Sequence, residues 1–313
     1  MRTRTLSVAV ATATALATMP VANADPAPFT YVELNQPSSQ TVAVEAQFNL
    51  TADSEVGIAG VRALRADMWD KNVPFNGMPL RDVAAQSGFK TRDAYVNAVQ
   101  PDYGFSLIAL QRGVEASKLY NHKRMYNSTC YGDCGSIFTA TINGIPSSGE
   151  NLNSISSIAD SIPMWGTGEE AALRAADGKF NNANGHLYNL LNPGMRYFGF
   201  AGVTTSEGQA AVATFGNLPT GVKPQAGGAQ TQTLYRPAGA GENVTAAPQA
   251  SAPQIEKSRS EKAAGQAPRQ VPGTAAGTKA DVGTVLGILA AVISLIGAIA
   301  GTVMQFGALA QRF

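Results

Sequence analysis

From Val282 to Ala310 the chain runs 29 residues without a charge and with a single amide, Gln305. As a helix this run would be about 43 Å long, more than the hydrocarbon core of a bilayer requires. It predicts a transmembrane or membrane-embedded helix over 282–310, with two Gly-x-x-x-Gly spacings, Gly283/Gly287 and Gly297/Gly301, that permit close helix approach. Before it, residues 218–281 are rich in Pro, Gly, Ala and Gln and carry one aromatic, Tyr235. Such a stretch buries too little apolar surface to offset the entropy of ordering it, and predicts a disordered linker. At the other end, Arg2 and Arg4 precede an apolar run and the small residues "ANA" (Ala22–Ala24), the pattern of a signal peptide over 1–24. A folded domain is thereby confined to about 51–217, with 25–50 as an extended lead-in.

Within 51–217 the periodicity is mixed. "SEVGIAGVRALRADMWDK", "MPLRDVAAQSGF", "TRDAYVNAVQ" and "SLIALQRGVEASKLYNHKR" carry helical spacing, with Thr91 as a candidate N-cap. "ENLNSISSIADSIPMW" and "GEEAALRAADGKF" predict two further helices, and "HLYNLL" a short one ended by the Asn192-Pro193-Gly194 turn. "RYFGFAGVTTSEGQAAVATFG" predicts a β-hairpin. Helices and strands without regular alternation argue the α+β class. Trp69 and Trp165 are expected in the core, and Arg196 at a solvated or cleft-rim position.

Charged residues are 14% of the chain and the formal net charge is +1, which supplies no electrostatic footprint for nucleic acid. The two cysteines, Cys130 and Cys134, lie close together in "CYGDC". In a secreted chain they predict one disulfide closing a small loop, with a metal site as the rival reading. No H-E-x-x-H, G-x-S-x-G, phosphate-binding glycine loop or dinucleotide fingerprint is present. The titratable candidates reduce to two histidines, His122 and His186, and the glutamates between them, Glu150, Glu169 and Glu170.

The order "HKRM", "GENL", "WGTGEE", "NGHLYNLLNP" and "YFGFAGV" resembles the CAP superfamily, also called SCP-like: cysteine-rich secretory proteins, antigen 5 and pathogenesis-related 1 proteins, here closest to the bacterial secreted branch. The resemblance spans roughly 50–217. It implies an α-β-α sandwich with a small antiparallel sheet, and a cleft tetrad at His122, Glu150, Glu169 and His186. Met125 stands where the family's H-x-R-P variant has proline, and Glu170 is the alternative to Glu169. Two imidazoles and two carboxylates suit a divalent ion such as zinc, with His122 and His186 as ligands, or a hydrogen-bonded network without one. The expectation is a membrane-anchored extracellular domain that displays a ligand cleft, the ligand being a lipid, a divalent metal or a surface protein. The alternative is a metal-dependent hydrolase acting on peptide or cell-wall material, with Glu150 or Glu169 as general base. A third reading makes the terminal helix a self-associating membrane element.

Overall fold

A computed structural model describes residues 26–126, 135–225, 227–250, 253 and 255, all within one unit of the chain. The expected signal peptide, Cys130 and Cys134, and the apolar run 282–310 lie outside the described residues. Among the described residues no helix is long and apolar enough to cross a membrane.

The strands are β1 Thr41–Phe48, β2 Pro74–Phe75, β3 Met78–Pro79, β4 Gln100–Pro101, β5 Thr141–Ile142, β6 Ile145–Pro146, β7 Gly149–Asn153, β8 Tyr197–Thr205, β9 Gly208–Gly216 and β10 Gln230–Pro237. The α-helices are α1 Leu50–Lys71, α2 Leu80–Gln86, α3 Arg92–Asn97, α4 Tyr103–Lys118, α5 Ile158–Trp165, α6 Glu170–Ala175 and α7 Gly185–Leu191. The α+β class is borne out. The main sheet has the order β10-β1-β8-β9-β7, antiparallel throughout this path, with β4 alongside the start of β8 in parallel.

The hairpin of β8 and β9 is the spine of the sheet. Its register closes on Thr205 opposite Gly208, so Ser206 and Glu207 form a two-residue turn. Thr205 Oγ1 accepts the amide hydrogens of Glu207 and Gly208 across it, at 3.0 and 3.2 Å. Alternation then sorts the side chains. Phe198, Phe200, Ala211, Ala213 and Phe215 join a core with α1, α5 and α7, while Ala201, Val203, Ala210 and Val212 join a second core with α4. Helices therefore cover both faces of the hairpin. The approach is close: a Cβ at Gly199 would overlap the Phe105–Ser106 backbone of α4, and one at Gly57 of α1 would overlap the Phe200 ring.

Local chemistry sets the helix ends. Asn49 caps α1 through Ala52 N, and Asn72 ends it in the left-handed conformation at φ 45°. Thr91 caps α3 as expected, Asp102 caps α4 and Ser157 caps α5. Trp69 and Trp165 are both buried, and Arg196 is exposed.

Three expectations are corrected. The helix expected over 150–165 is instead strand β7 followed by α5: "GENLN" pairs along β9, from Gly149 opposite Phe215 to Asn153 opposite Ala211. Glycine and two asparagines are poor helix formers, and the ladder satisfies their backbone. The helix through "SLIALQRGVEASKLYNHKR" ends at Lys118, with Leu119 extended, so His122 sits in a bend beyond it. The segment 218–250, assigned to a disordered linker, contributes β10, which pairs with all eight residues of β1. Averaged composition hid a short alternating strand, "QTQTLYRP", that buries Leu234 and Arg236. After it the chain returns along the lead-in, where Thr245 N donates to Thr41 O and Ala247 N to Ser38 O.

Candidate functional site

Four separate elements bring the tetrad together. His122 lies in the bend after α4, Glu150 on the edge strand β7, Glu169 at the end of the 3-10 turn Thr167–Glu169, and His186 in the first turn of α7. They form two dyads. His122 Nδ1 lies 2.9 Å from Glu150 Oε1, and His186 Nδ1 lies 2.6 Å from Glu169 Oε1. The imidazole centres are 6.4 Å apart. The carboxylates are the buried ends, at 0% and 14% side-chain exposure, while the His122 and His186 side chains are 55% and 30% exposed. The rings thus face solvent and the acids stand behind them.

With an ionised carboxylate as acceptor, Nδ1 is the donor in each dyad and Nε2 is the open nitrogen. Among the described residues no partner holds either Nε2. Glu169 Oε2 also accepts the Leu187 amide hydrogen at 2.9 Å, which fixes it across the first turn of α7. Glu170, the alternative tetrad member, faces elsewhere: it pairs with Lys71 and Arg174. Among the described residues no group of three or more His, Cys, Asp or Glu is arranged to hold a metal ion.

Behind Glu150 lies a chain of buried charge. Arg112 of α4 donates from Nε to Glu150 Oε2 at 2.7 Å and from Nη2 to Oε1 at 3.3 Å. Its Nη1 donates to Glu115 at 2.6 Å, and its Nη2 to Asn121 O at 2.9 Å in the bend that carries His122. Glu115 in turn is held by Arg124 at 2.6 Å. Burial alone would push Glu150 up, but Arg112 and then His122 outweigh it and hold the carboxyl below its usual range. Burial acts the same way on Glu115, where Arg124 and Arg112 win and bring it to about 2.

Other groups fix the second dyad. Asn151 Nδ2 donates to His186 O at 3.1 Å, and Asn189 Nδ2 to Asn151 Oδ1 at 3.0 Å, which fastens α7 to β7. Trp165 donates to Leu152 O at 3.2 Å, and its ring centre lies 6.2 Å from that of His186. Arg65, wholly buried on α1, has main-chain carbonyls as its partners: Leu190 O at 2.8 Å, Asn192 O at 2.9 Å and Met195 O at 2.7 Å. A cation there complements the C-terminal end of α7 and ties the Asn192-Pro193-Gly194 turn to the core.

Sequence reasoning placed all four tetrad residues and missed Arg65, Arg112, Glu115, Asn151 and Asn189. One signal was present: "QRGVE" sets two charges inside an otherwise apolar helix, where charges are rarely buried without partners. Compared with known protein families, curated proteins and solved structures, the chain matched none.

Proposed function

We propose that this chain is a secreted, membrane-anchored module of CAP type that displays the His122/Glu150/Glu169/His186 cleft at the cell envelope and takes up a divalent metal ion there. The carrying observation is the pair of Glu–His dyads, each joined through Nδ1, with the two rings 6.4 Å apart. A carboxylate on one ring nitrogen orients a histidine for metal at the other. Two imidazoles on one zinc ion hold their ring centres roughly 5–6 Å apart, given Zn–N near 2.0–2.1 Å. The observed spacing is slightly wider, so capture draws the more exposed His122 ring inward. The protein supplies two ligands in this reading, and the remaining positions stay open to water or to a group on a partner. The layered helices about an antiparallel hairpin support the CAP resemblance, as does the meeting of the four motif residues in one cleft.

The hydrolase alternative needs a carboxylate free to activate water. All four carboxylate oxygens in the cleft are already engaged, by Arg112, His122, His186 and the Leu187 amide. They are better placed to orient imidazoles than to take a proton from water. Lipid or surface-protein ligands stay compatible with the cleft's openness, and the two exposed rings favour the ion. The test is calorimetric titration of zinc into the full chain and into a His122→Ala/His186→Ala variant. One site lost in the variant is the expected result. Absence of saturable binding to the unaltered chain, or equal binding by both, would overturn the proposal.

A further inference from the structure

The chain contains three Asn-Gly dipeptides, Asn76-Gly77, Asn143-Gly144 and Asn184-Gly185. Each pairs a side-chain amide with a following residue that has no Cβ to shield its main-chain nitrogen. That nitrogen attacks the asparagine Cγ only where it and the side-chain amide are both free to approach one another. Asn76-Gly77 and Asn143-Gly144 are the two-residue turns of the hairpins β2–β3 and β5–β6. Positive φ at all four residues, 54° and 76° in the first turn and 52° and 74° in the second, matches the type I′ turn that Asn-Gly favours. Both turns are exposed, so exposure does not distinguish them.

Their hydrogen bonds do. Gly77 N donates to Asp177 O at 2.8 Å and Asn76 N to Gly178 O at 2.9 Å, while Asn76 Oδ1 accepts from Tyr188 OH at 3.0 Å. The attacking nitrogen and the carbonyl it would attack are both tied down there. Asn184 is buried, its Oδ1 accepting from Asn181 N at 2.9 Å and its Nδ2 donating to Lys179 O at 3.0 Å. Asn143 has neither restraint. Among the described residues nothing bonds its side chain or the Gly144 amide, and no atom lies within 4 Å of where a Gly144 Cβ would stand. The hairpin around it is two residue pairs long, and Pro146 in one of them has no N–H to give. Opening this turn to the reactive geometry therefore breaks little.

We propose that Asn143 is a site of self-modification by deamidation. The Gly144 nitrogen bonds to Asn143 Cγ, its proton leaves with the side-chain nitrogen as ammonia, and a five-membered imide remains. Water then adds to one of the two imide carbonyls and opens the ring to aspartate or to isoaspartate at position 143. Either product gains a negative charge. The second also carries the main chain through an extra carbon, which lengthens the turn and breaks its register. The hairpin is tied to structure beyond itself: Thr141 O accepts from Glu33 N at 2.9 Å, and Glu33 O accepts from Arg124 Nη1 at 2.9 Å. Arg124 in turn holds Glu115 in the buried charge chain behind Glu150. Isoaspartate at 143 thus loosens the outer end of that chain. The inference rests on nothing proposed for the cleft.

The full chain is incubated in mildly alkaline buffer made with water enriched in heavy oxygen, once folded and once in urea. Protease digestion and mass spectrometry that separates aspartate from isoaspartate then read each asparagine. In urea the three asparagines, all followed by glycine, are expected to react at similar rates. In the folded chain Asn143 is expected to react at least about tenfold faster than Asn76 or Asn184, whose bonds must first break. Both isomers are expected at 143, each carrying an oxygen from the solvent. The isoaspartate form, separated by chromatography, is expected to exchange the Glu33 amide hydrogen faster than the unaltered chain does, with the β8–β9 amides unchanged. No product at Asn143, aspartate without isoaspartate, or equal or faster reaction at Asn76 or Asn184 in the folded chain overturns the proposal. Unchanged exchange at Glu33 overturns the link from the turn to the buried charge chain.

Discussion

Arg112→Met is the most informative single perturbation of the site's frame. The guanidinium is 1% exposed and contacts Glu150 twice, Glu115 once and Asn121 O once. Methionine keeps much of the volume and removes every one of these bonds. Glu150, whose side chain is wholly buried, would retain only His122 as a hydrogen-bond partner, and Glu115 would retain Arg124. Hydrogen bonds to charged groups are worth about 1.5–3 kcal/mol each, but such contributions do not add within one network. Removing one partner of a buried ion pair costs about 3–5 kcal/mol, which for a domain of this size is roughly 6–20 °C in Tm. Thermal unfolding at pH 7, followed by circular dichroism, reads it. Combining Arg112→Met with Glu150→Gln removes the stranded charge, so the double variant should lose less than the sum of the single losses, by about 2 kcal/mol. A Tm drop below about 2 °C for Arg112→Met, or strict additivity in the double variant, would refute the view that Glu150 depends on Arg112.

Asp53 tests a pH-dependent contribution outside the cleft. Burial pushes its carboxyl up to about 6, against the lowering effect of the Gly202 amide that it accepts at 2.8 Å. The native state therefore holds this proton more tightly than the unfolded chain, and the group's contribution is full below about pH 4 and lost as pH rises through about 6. A rise of that size corresponds to about 3 kcal/mol, which partial exposure reduces to about 1–2 kcal/mol. Asp53→Asn keeps an acceptor for Gly202, so its Tm advantage over the unaltered chain should grow between pH 4 and 6.5; parallel curves would sink the assignment. Arg236 tests whether 230–250 is an integral part of the fold. Its buried side chain bonds both oxygens of Glu207 in the hairpin turn and both of Glu242, and Arg236→Gln should cost about 2–4 kcal/mol and open the β1–β10 amides to hydrogen exchange before the β8–β9 amides. Simultaneous exchange of both pairs would show that β10 is not held separately by this clamp.

What could be read in the sequence was whatever depends on neighbours along the chain. The β8–β9 hairpin announces itself through alternation and a Ser-Glu-Gly turn, α1 through periodicity, and α3 through its Thr91 cap. The elements misjudged owe their state to distant partners. "GENLN" becomes a strand because β9 offers it a ladder, and "QTQTLYRP" because β1 does. No window centred on either segment contains that partner, so composition spoke for disorder in one and neighbouring helix signals spoke for a helix in the other.

The site divides in the same way. Its exposed members sit in motif-like strings, although the carboxylates that hold them come from other elements: Glu169, 17 positions before His186, reaches both its ring and the Leu187 amide. Its supports come from elsewhere in the fold. Arg65 lies more than a hundred residues from the carbonyls of α7 that it bonds, and Arg112 reaches Glu150 across 38 positions. Both arginines stand on the long helices that enclose the hairpin, one on each face. The two dyads are thus anchored to opposite layers: Glu150 and the His122 bend through Arg112 to α4, and α7 with its His186 through Arg65 to α1. A shift of one layer against the other would change the distance between the rings. The close contacts at Gly57 and Gly199 resist such a shift, because the hairpin leaves no room between itself and either helix. The ring separation is therefore set by the packing of the whole domain more than by the motif strings in which the histidines occur.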